Sequence, residues 1–260
     1  MAAGSALITG ASSGIGAELA KVCAAAGYPV ILVARSLAAL EDVARQCGSQ
    51  ARVLAADLAD AEAPEKIFEQ LRGTPVEILI NNAGFGLRGP FAATDWEAEW
   101  RLAQVNMLAL VHLTKLFLPG MLQRRSGRVL NVASTAAFVP GPFMAMYYAS
   151  KAFVRSFSES LANEVQGRGV TVTVLCPGPT RTAFVAAARM ENTPLFHGPA
   201  MDAAEVARLG FDAMMAGKMG VIAGARNRWM ILGARFAPRP LLARITRRLN
   251  GWAGDAPAQR

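Results

Sequence analysis

The chain is expected to fold as an α/β unit: a doubly wound parallel β-sheet with helices on both faces. Three observations predict this. Short apolar runs alternate with longer stretches of helical periodicity through the first 224 residues. The runs are apolar at nearly every position, as strands buried on both faces require, and joining such strands by helices makes the sheet parallel with right-handed crossovers. Each polar or glycine-rich candidate for chemistry falls at the carboxyl end of a run, where such a sheet opens its binding crevice.

Taken in order, residues 6–9 (Ala, Leu, Ile, Thr) form a first strand, followed by a helix over 16–26. Residues 30–34 (Val, Ile, Leu, Val, Ala) are strand-like, and 37–46 are helical. A third run at 53–56 precedes a helix at 64–71, and a fourth at 76–80 precedes a long helical stretch ending near Leu122. The pattern continues with a strand at 128–133, a helix at 147–166, a strand at 170–175, a helix at 202–215 and a short strand near Val221. Glycine and proline become frequent at 138–142 and after 177, where loops are expected.

A chain of 260 residues and 27.5 kDa suits one large α/β domain, and 53% hydrophobic against 18% charged residues supplies its core. Cys23, Cys47 and Cys176 are odd in number and accompanied only by His112 and His197, which fits neither a disulfide framework nor a zinc site. No metal is expected. No basic leader followed by an apolar stretch opens the chain, and no apolar run reaches the ~18–20 residues of a membrane span. A cytoplasmic protein is the expectation. The net charge of +8 is uneven: residues 1–224 carry +1, and residues 225–260 carry eight Arg against Asp255 alone.

Thr9-Gly10-Ala11-Ser12-Ser13-Gly14-Ile15-Gly16 runs from the first strand into a helix, as a pyrophosphate-binding turn must. Its glycines permit positive φ and close approach, and the helix amides receive the anion. The competing reading is a tight turn without a ligand. The spacing is not G-x-G-x-x-G. Arg35 closes the second strand, where an acidic residue would accept from the ribose of NAD; an arginine suits a 2′-phosphate instead, with Ser12 and Ser36 as further donors, so NADP(H) is the expected cofactor. Asp57 is placed to accept from the adenine amino group with Leu58 covering the ring, although a lone Asp there is often a helix cap. Asn81-Asn82-Ala83-Gly84 brings amides and small residues to the end of the fourth strand.

Tyr147 and Lys151 stand four apart and share one face if their segment is helical, while Tyr148 points elsewhere. At an effective dielectric of about 20, an ammonium roughly 4 Å from the phenol is worth ~4 kcal/mol, or about three pK units. That would bring an ordinary tyrosine near neutrality. Ser134 and Asn106 complete an acid, a cation and two polar orienters, a group suited to carbonyl or alcohol redox chemistry.

With these residues in order, the chain resembles the short-chain dehydrogenase/reductase family, in its NADP-preferring branch with the TGxxxGxG loop and the YxxxK pair. The resemblance spans residues 4 to about 224. It implies a Rossmann-like sheet of about seven strands in the order 3-2-1-4-5-6-7. It further implies that Tyr147 donates a proton to a substrate carbonyl, Ser134 holds that carbonyl, and Lys151 binds the nicotinamide ribose and lowers the phenol pKa. Asn106 would hold a water linking Lys151 to solvent. In Pro177-Gly178-Pro179-Thr180-Arg181-Thr182, it implies a cofactor-binding segment whose Thr182 bonds the carboxamide. The activity implied is hydride and proton transfer between NADP(H) and a ketone/alcohol pair, in a ketoreductase. A cofactor-sensing regulator or scaffold is the rival of another class.

Phe138, Val139, Phe143 and Met144, with Phe184, Met190, Leu195 and Phe196 in an insert at about 183–200, are expected to wall a hydrophobic substrate site. A lipid, acyl, steroid-like or aryl ketone would fit. Arg181 and Arg189 could meet an anionic substrate or be solvated. The single catalytic domain is expected to end near Gly224, with residues 225–260 a basic amphipathic extension. Leu241, Leu242, Ile245 and Leu249 share one side of its helix opposite Arg244, Arg247 and Arg248, and Trp229, Leu232 and Phe236 form a second stripe. Packing over the pocket or a partner subunit is the first reading, and contact with an anionic membrane or acyl-carrier surface the second. Nucleic acid is not expected as a partner. A homodimer or homotetramer, paired through helices about 100–122 and 147–166 with Leu108, Leu116, Phe153 and Phe157, is implied by the family resemblance.

Overall fold

In the computed structural model, which describes residues 4–188, 190, 193–196, 198 and 200–251, the strands are β1 (Ser5–Thr9), β2 (Val30–Ala34), β3 (Ala51–Ala55), β4 (Val76–Asn81), β5 (Gly127–Val132), β6 (Val170–Cys176) and β7 (Gly220–Ile222). They form one parallel sheet in the expected order, β3-β2-β1-β4-β5-β6-β7. The helices are α1 (Gly14–Ala25), α2 (Leu37–Cys47), α3 (Ala63–Gln70), α4 (Trp96–Ala103), α5 (Ala109–Arg124), α6 (Ala145–Glu164), α7 (Phe184–Ala187), α8 (Ala203–Met215), α9 (Ala225–Ala234) and α10 (Arg239–Asn250).

Alternate strand residues feed opposite cores, which is why the central strands are apolar at nearly every position. Ala6, Ile8, Leu32, Ile78 and Ile80 pack with α1, α2 and α8, while Leu7, Ile31, Val33 and Leu79 pack with α3, α5 and α6. Helix starts follow local chemistry: the side chains of Ser36, Asp95 and Asp202 accept from amides at the starts of α2, α4 and α8.

The long helical stretch before β5 is α4, a π-helical turn at Gln104–Leu108 and α5 in continuous succession. By length and composition alone, Trp96–Arg124 is long and apolar enough to cross a membrane. The expectation that no segment is long and apolar enough is therefore corrected. Its apolarity has a local cause: Leu110, Leu113, Phe117 and Met121 are buried beneath the sheet.

Asn81 also departs from expectation. Its amide donates to Thr114 Oγ1 (3.0 Å) and Asn131 Oδ1 (2.9 Å), and Asn131 in turn donates to Ser158 Oγ (2.9 Å). This buried chain ties β4 and β5 to α5 and α6, so Asn81 faces the core and only Asn82 faces the crevice.

Candidate active site

At the carboxyl end of β1, Thr9 Oγ1 donates to Ile80 O and accepts from the amides of Asn82 and Ala83 (both 3.1 Å). Asn82 Nδ2 donates to Thr9 O (3.0 Å) and Gly10 O (3.1 Å), fastening the glycine turn to β4. A Cβ at Gly16 would lie 2.2 Å from Gly10 O and 2.4 Å from Asn82 Nδ2, so only glycine fits where turn, helix and strand meet. Ser13 is the N-cap of α1 but its side chain does not cap it. The α1 amides thus remain available to an anion in the cleft, as a dinucleotide pyrophosphate requires. Gly10, Ser12, Ser13, Gly14 and Ile15 line that cleft; Gly16 lies buried behind them.

Arg35, exposed at the end of β2, lines the same cleft with Ser12 and Ser36. Ser36 Oγ accepts from Ala39 N (3.3 Å), which caps α2 and leaves the hydroxyl proton for another acceptor. Asp57 is more committed than expected: Oδ1 accepts from Ala59 N and Oδ2 from Arg101, both at 3.0 Å. Arg101 therefore joins Asp57 and Leu58 in lining this end. Nothing in its sequence surroundings marks it, because the pairing joins residues 44 apart.

Helix α6 places Tyr147 and Lys151 together, with the Lys151 Nζ 5.9 Å from the ring centroid and donating to Val132 O (3.0 Å). Ser134, just past β5, accepts from Ala136 N (3.1 Å) and donates to Pro177 O (3.4 Å). Asn106 sits in the π turn, where the widened helix lets Oδ1 accept from Phe85 N (3.0 Å) while Nδ2 donates to Phe85 O (3.0 Å) and Ser150 Oγ (3.1 Å). A Cβ at Gly84 would lie 3.1 Å from Asn106 Oδ1 and 3.3 Å from Lys151 Nζ, so Gly84 packs directly on both. Asn82, Ala83 and Gly84 all line the cleft.

Burial pushes the Tyr147 phenol up, a hydrogen bond from the Ser134 side chain pulls the other way, and Tyr148 adds a smaller upward push. Burial lowers Lys151 to about 8, with nearby Cys176 opposing it. The expected near-neutral phenol is therefore corrected. The ammonium spends a hydrogen bond on Val132, and burial acts on both groups more strongly than they act on each other.

After β6, a Cβ at Gly14 would lie 2.9 Å from Thr182 Cγ2, so the glycine turn and the segment from Pro177 to Thr182 close on one another. Thr180 Oγ1 donates to Gly178 O (2.9 Å), and Pro177, Gly178, Thr180 and Thr182 line the cleft. Asn227 of α9, which sequence reasoning did not single out, packs on Gly178 so closely that a Cβ there would be 2.3 Å from its Nδ2.

A family model described as short chain dehydrogenase matches residues 5–193. The chain belongs to the short-chain dehydrogenase family. It is 38% identical over 199 residues to a short chain dehydrogenase of Pseudocercospora fijiensis, covering 74% of this chain and 64% of that protein. It is 37% identical over 177 residues to a very-long-chain 3-oxoacyl-CoA reductase of Phaeosphaeria nodorum, covering 64% of this chain and 52% of that one. These matches thus span between about half and two thirds of the relatives' own length. Among solved structures, a short-chain dehydrogenase from Sphingobium yanoikuyae in complex with NADPH superposes with a TM-score of 0.81 at 32% identity, covering 90% of this chain and 94% of that one.

In this short-chain dehydrogenase the cleft, about 1360 Å³, continues from the glycine turn past Tyr147 into an apolar end. Met144, Val139, Phe184, Met190 and Leu195 line it, with the Phe184 ring centroid 5.3 Å from that of Tyr147. Phe138 and Phe143 do not. Arg155 stacks over Phe138 (4.2 Å) and Arg247 over Phe143 (4.8 Å), holding both rings outside the cleft lining. Arg181 donates to Ala200 O (3.0 Å) and lies 3.8 Å from Asp202. Arg189, His197 and the Phe196 side chain lie outside the described residues.

The far wall comes from α10, whose Leu242, Ile245, Thr246 and Leu249 line the cleft. Tyr148 Oη donates to Asn250 Oδ1 (3.1 Å), Asn250 Nδ2 donates to Pro142 O (2.8 Å), and Thr246 Oγ1 donates to Pro140 O (2.7 Å). Arg88 donates to the carbonyls of Asn250 and Gly251. These bonds fasten α10 across the loop that precedes Tyr147.

Proposed function

We propose that this member of the family is an NADP(H)-dependent oxidoreductase that interconverts a ketone and a secondary alcohol on a hydrophobic substrate. The observation that carries the reading is that Tyr147 and Ser134 line one cleft together with the Gly14–Thr182 junction and with the apolar side chains of Met144, Phe184 and Leu195. The NADPH complex of the Sphingobium yanoikuyae neighbour and the 3-oxoacyl reductase name of the Phaeosphaeria nodorum relative support it.

The residues present fit the dinucleotide. The α1 N-terminus and its glycines suit the pyrophosphate, Arg35 with Ser12 and Ser36 a 2′-phosphate, and Asp57, Arg101 and Leu58 the adenine end. Lys151 suits the nicotinamide ribose and Thr182 the carboxamide. Held there, the nicotinamide would supply the hydride that the carbonyl carbon takes up.

Tyr147 does the rest. Its raised pKa keeps the phenol protonated at neutral pH, so the O–H bond breaks only as negative charge builds on the substrate oxygen and a new alcohol O–H forms. Ser134 would turn its single hydroxyl proton from the long bond to Pro177 O onto that same oxygen. Lys151, lowered to about 8, still carries its charge at pH 7 and offsets the phenolate left behind. Asn106 holds the backbone of Phe85 beside it, next to the glycine that packs on the ammonium.

Assembly as a homodimer or homotetramer belongs to the same reading. Leu108 and Phe153 are exposed, whereas Leu116 and Phe157 pack largely inward. Initial rates of NADPH oxidation with short and long 3-oxoacyl thioesters, aryl ketones and steroid ketones test the function. Turnover rising with apolar bulk is the expected result, and no oxidation with any of them would remove the proposal.

A further inference from the structure

The two apolar stripes of residues 225–251 have opposite fates. That of α10, through Leu242, Ile245 and Leu249, closes the cleft. That of α9 is left largely in water: Trp229 and Leu232, at i and i+3 of the helix, and Phe236, two residues past its end, are 73%, 42% and 84% exposed. Trp229 and Leu232 line a shallow apolar hollow on the outside of the molecule with Ala225 and Arg228. Leu241, at the start of α10, is 47% exposed. Large side chains left in water in one contiguous place mark an interaction surface.

The charge around them has one sign. Between residues 225 and 251 there are seven Arg and no Asp or Glu. Arg226, Arg228, Arg235, Arg239, Arg244, Arg247 and Arg248 are all exposed. Two residues, Met230 of α9 and Ile245 of α10, are about half exposed and also line the cleft, so the mouth of the apolar end opens through this surface.

We propose that the surface formed by α9, α10 and the turn between them docks on an anionic lipid bilayer, with Trp229 at the headgroup level, Phe236 entering the acyl boundary and the cleft mouth held against the membrane. An indole favours the headgroup level, an exposed phenyl ring gains by entering the acyl boundary, and arginines nearby are drawn by anionic headgroups. A second copy of the chain is a poorer occupant, because a two-fold contact would set the arginines of one protomer against those of the other. A folded acidic protein is poorer too. Phe236 protrudes beyond the end of α9, and a bilayer accepts a protruding ring without a shaped pocket. A hydrophobic ketone could then enter from lipid without crossing water. That delivery step rests on the function proposed above; the docking does not.

Flotation of the full chain with vesicles tests docking without any turnover. At low salt the protein is expected to float with vesicles of phosphatidylglycerol and phosphatidylcholine in equal parts, and much less with phosphatidylcholine alone. The pair Trp229→Ser and Phe236→Ser should abolish flotation. Each of Arg228→Glu and Arg235→Glu should lower partitioning about fivefold or more. None of these four residues lines the cleft, so all variants should oxidise NADPH with a short, water-soluble ketone as the unaltered protein does. No flotation with anionic vesicles, or flotation indifferent to both sets of substitutions, would overturn the proposal. Capture by an acidic carrier protein with no vesicle binding would overturn it as well. Loss of turnover with flotation intact would count against the enzyme reading alone.

Discussion

The Tyr148 hydroxyl donates to Asn250 Oδ1 over 3.1 Å, joining the neighbour of Tyr147 to a residue 102 positions later. Asn250 is wholly buried, and its amide also holds Pro142 O. Replacing Asn250 by Ala would strand the buried Tyr148 hydroxyl and a part-buried carbonyl, at a cost of about 1–3 kcal/mol. Asn250→Ala should speed amide hydrogen exchange across residues 239–251 and raise KM for bulky ketones more than it lowers kcat. Unchanged exchange there would show that the Asn250 side chain does not hold α10.

Arg35→Asp should cut the preference for NADPH over NADH by about tenfold or more, the size of a lost charge-assisted hydrogen bond. Steady-state rates with the two cofactors measure it. An unchanged ratio would remove the 2′-phosphate from Arg35.

Gly16→Ala puts a methyl group 2.2 Å from Gly10 O. Backbone must move, so stability should fall by about 1–3 kcal/mol. Affinity for NADPH, read by fluorescence titration, should fall with it. Full affinity in the variant would mean that the turn is not the pyrophosphate site.

Lys151 titrates near 10.5 in the unfolded chain and at about 8 when folded. Between those values the unfolded chain binds more protons, so this group makes stability rise with pH across about 8–10.5. Below pH 8 its buried ammonium costs about 3 kcal/mol. Tyr147 is shifted the other way, and its contribution is lost only as pH climbs above about 10, where the unfolded phenol ionises. Lys151→Met should therefore be more stable than the unaltered protein at pH 7, with the gap closing from pH 8 to 10. Denaturant unfolding at several pH values decides it, and a less stable variant at pH 7 would contradict the sign.

The strands were legible as short, mostly apolar runs, and their order through the family resemblance; the glycine turn, Arg35, Asp57 and Ser134 stood out at the ends of runs, and Tyr147 with Lys151 by their spacing of four on one helix. What escaped depends on contacts distant in sequence. Arg155 and Arg247 cover Phe138 and Phe143 from other helices, Arg101 reaches Asp57, and Asn227 reaches Gly178. The π turn around Asn106 leaves no mark on helical periodicity, since one widened turn shifts the apolar face by less than the stripe is wide. The two tail stripes have the same periodicity, and only the packing shows that one is inside and the other outside.

The most direct measurement compares Tyr147→Phe with the unaltered protein, scoring NADPH binding by fluorescence and NADPH oxidation with a hydrophobic ketone under saturating conditions. Binding should be retained and kcat should fall about 10²–10⁴-fold, the usual worth of a positioned acid. Oxidation at the unaltered rate by the phenylalanine variant would show that the proton comes from elsewhere.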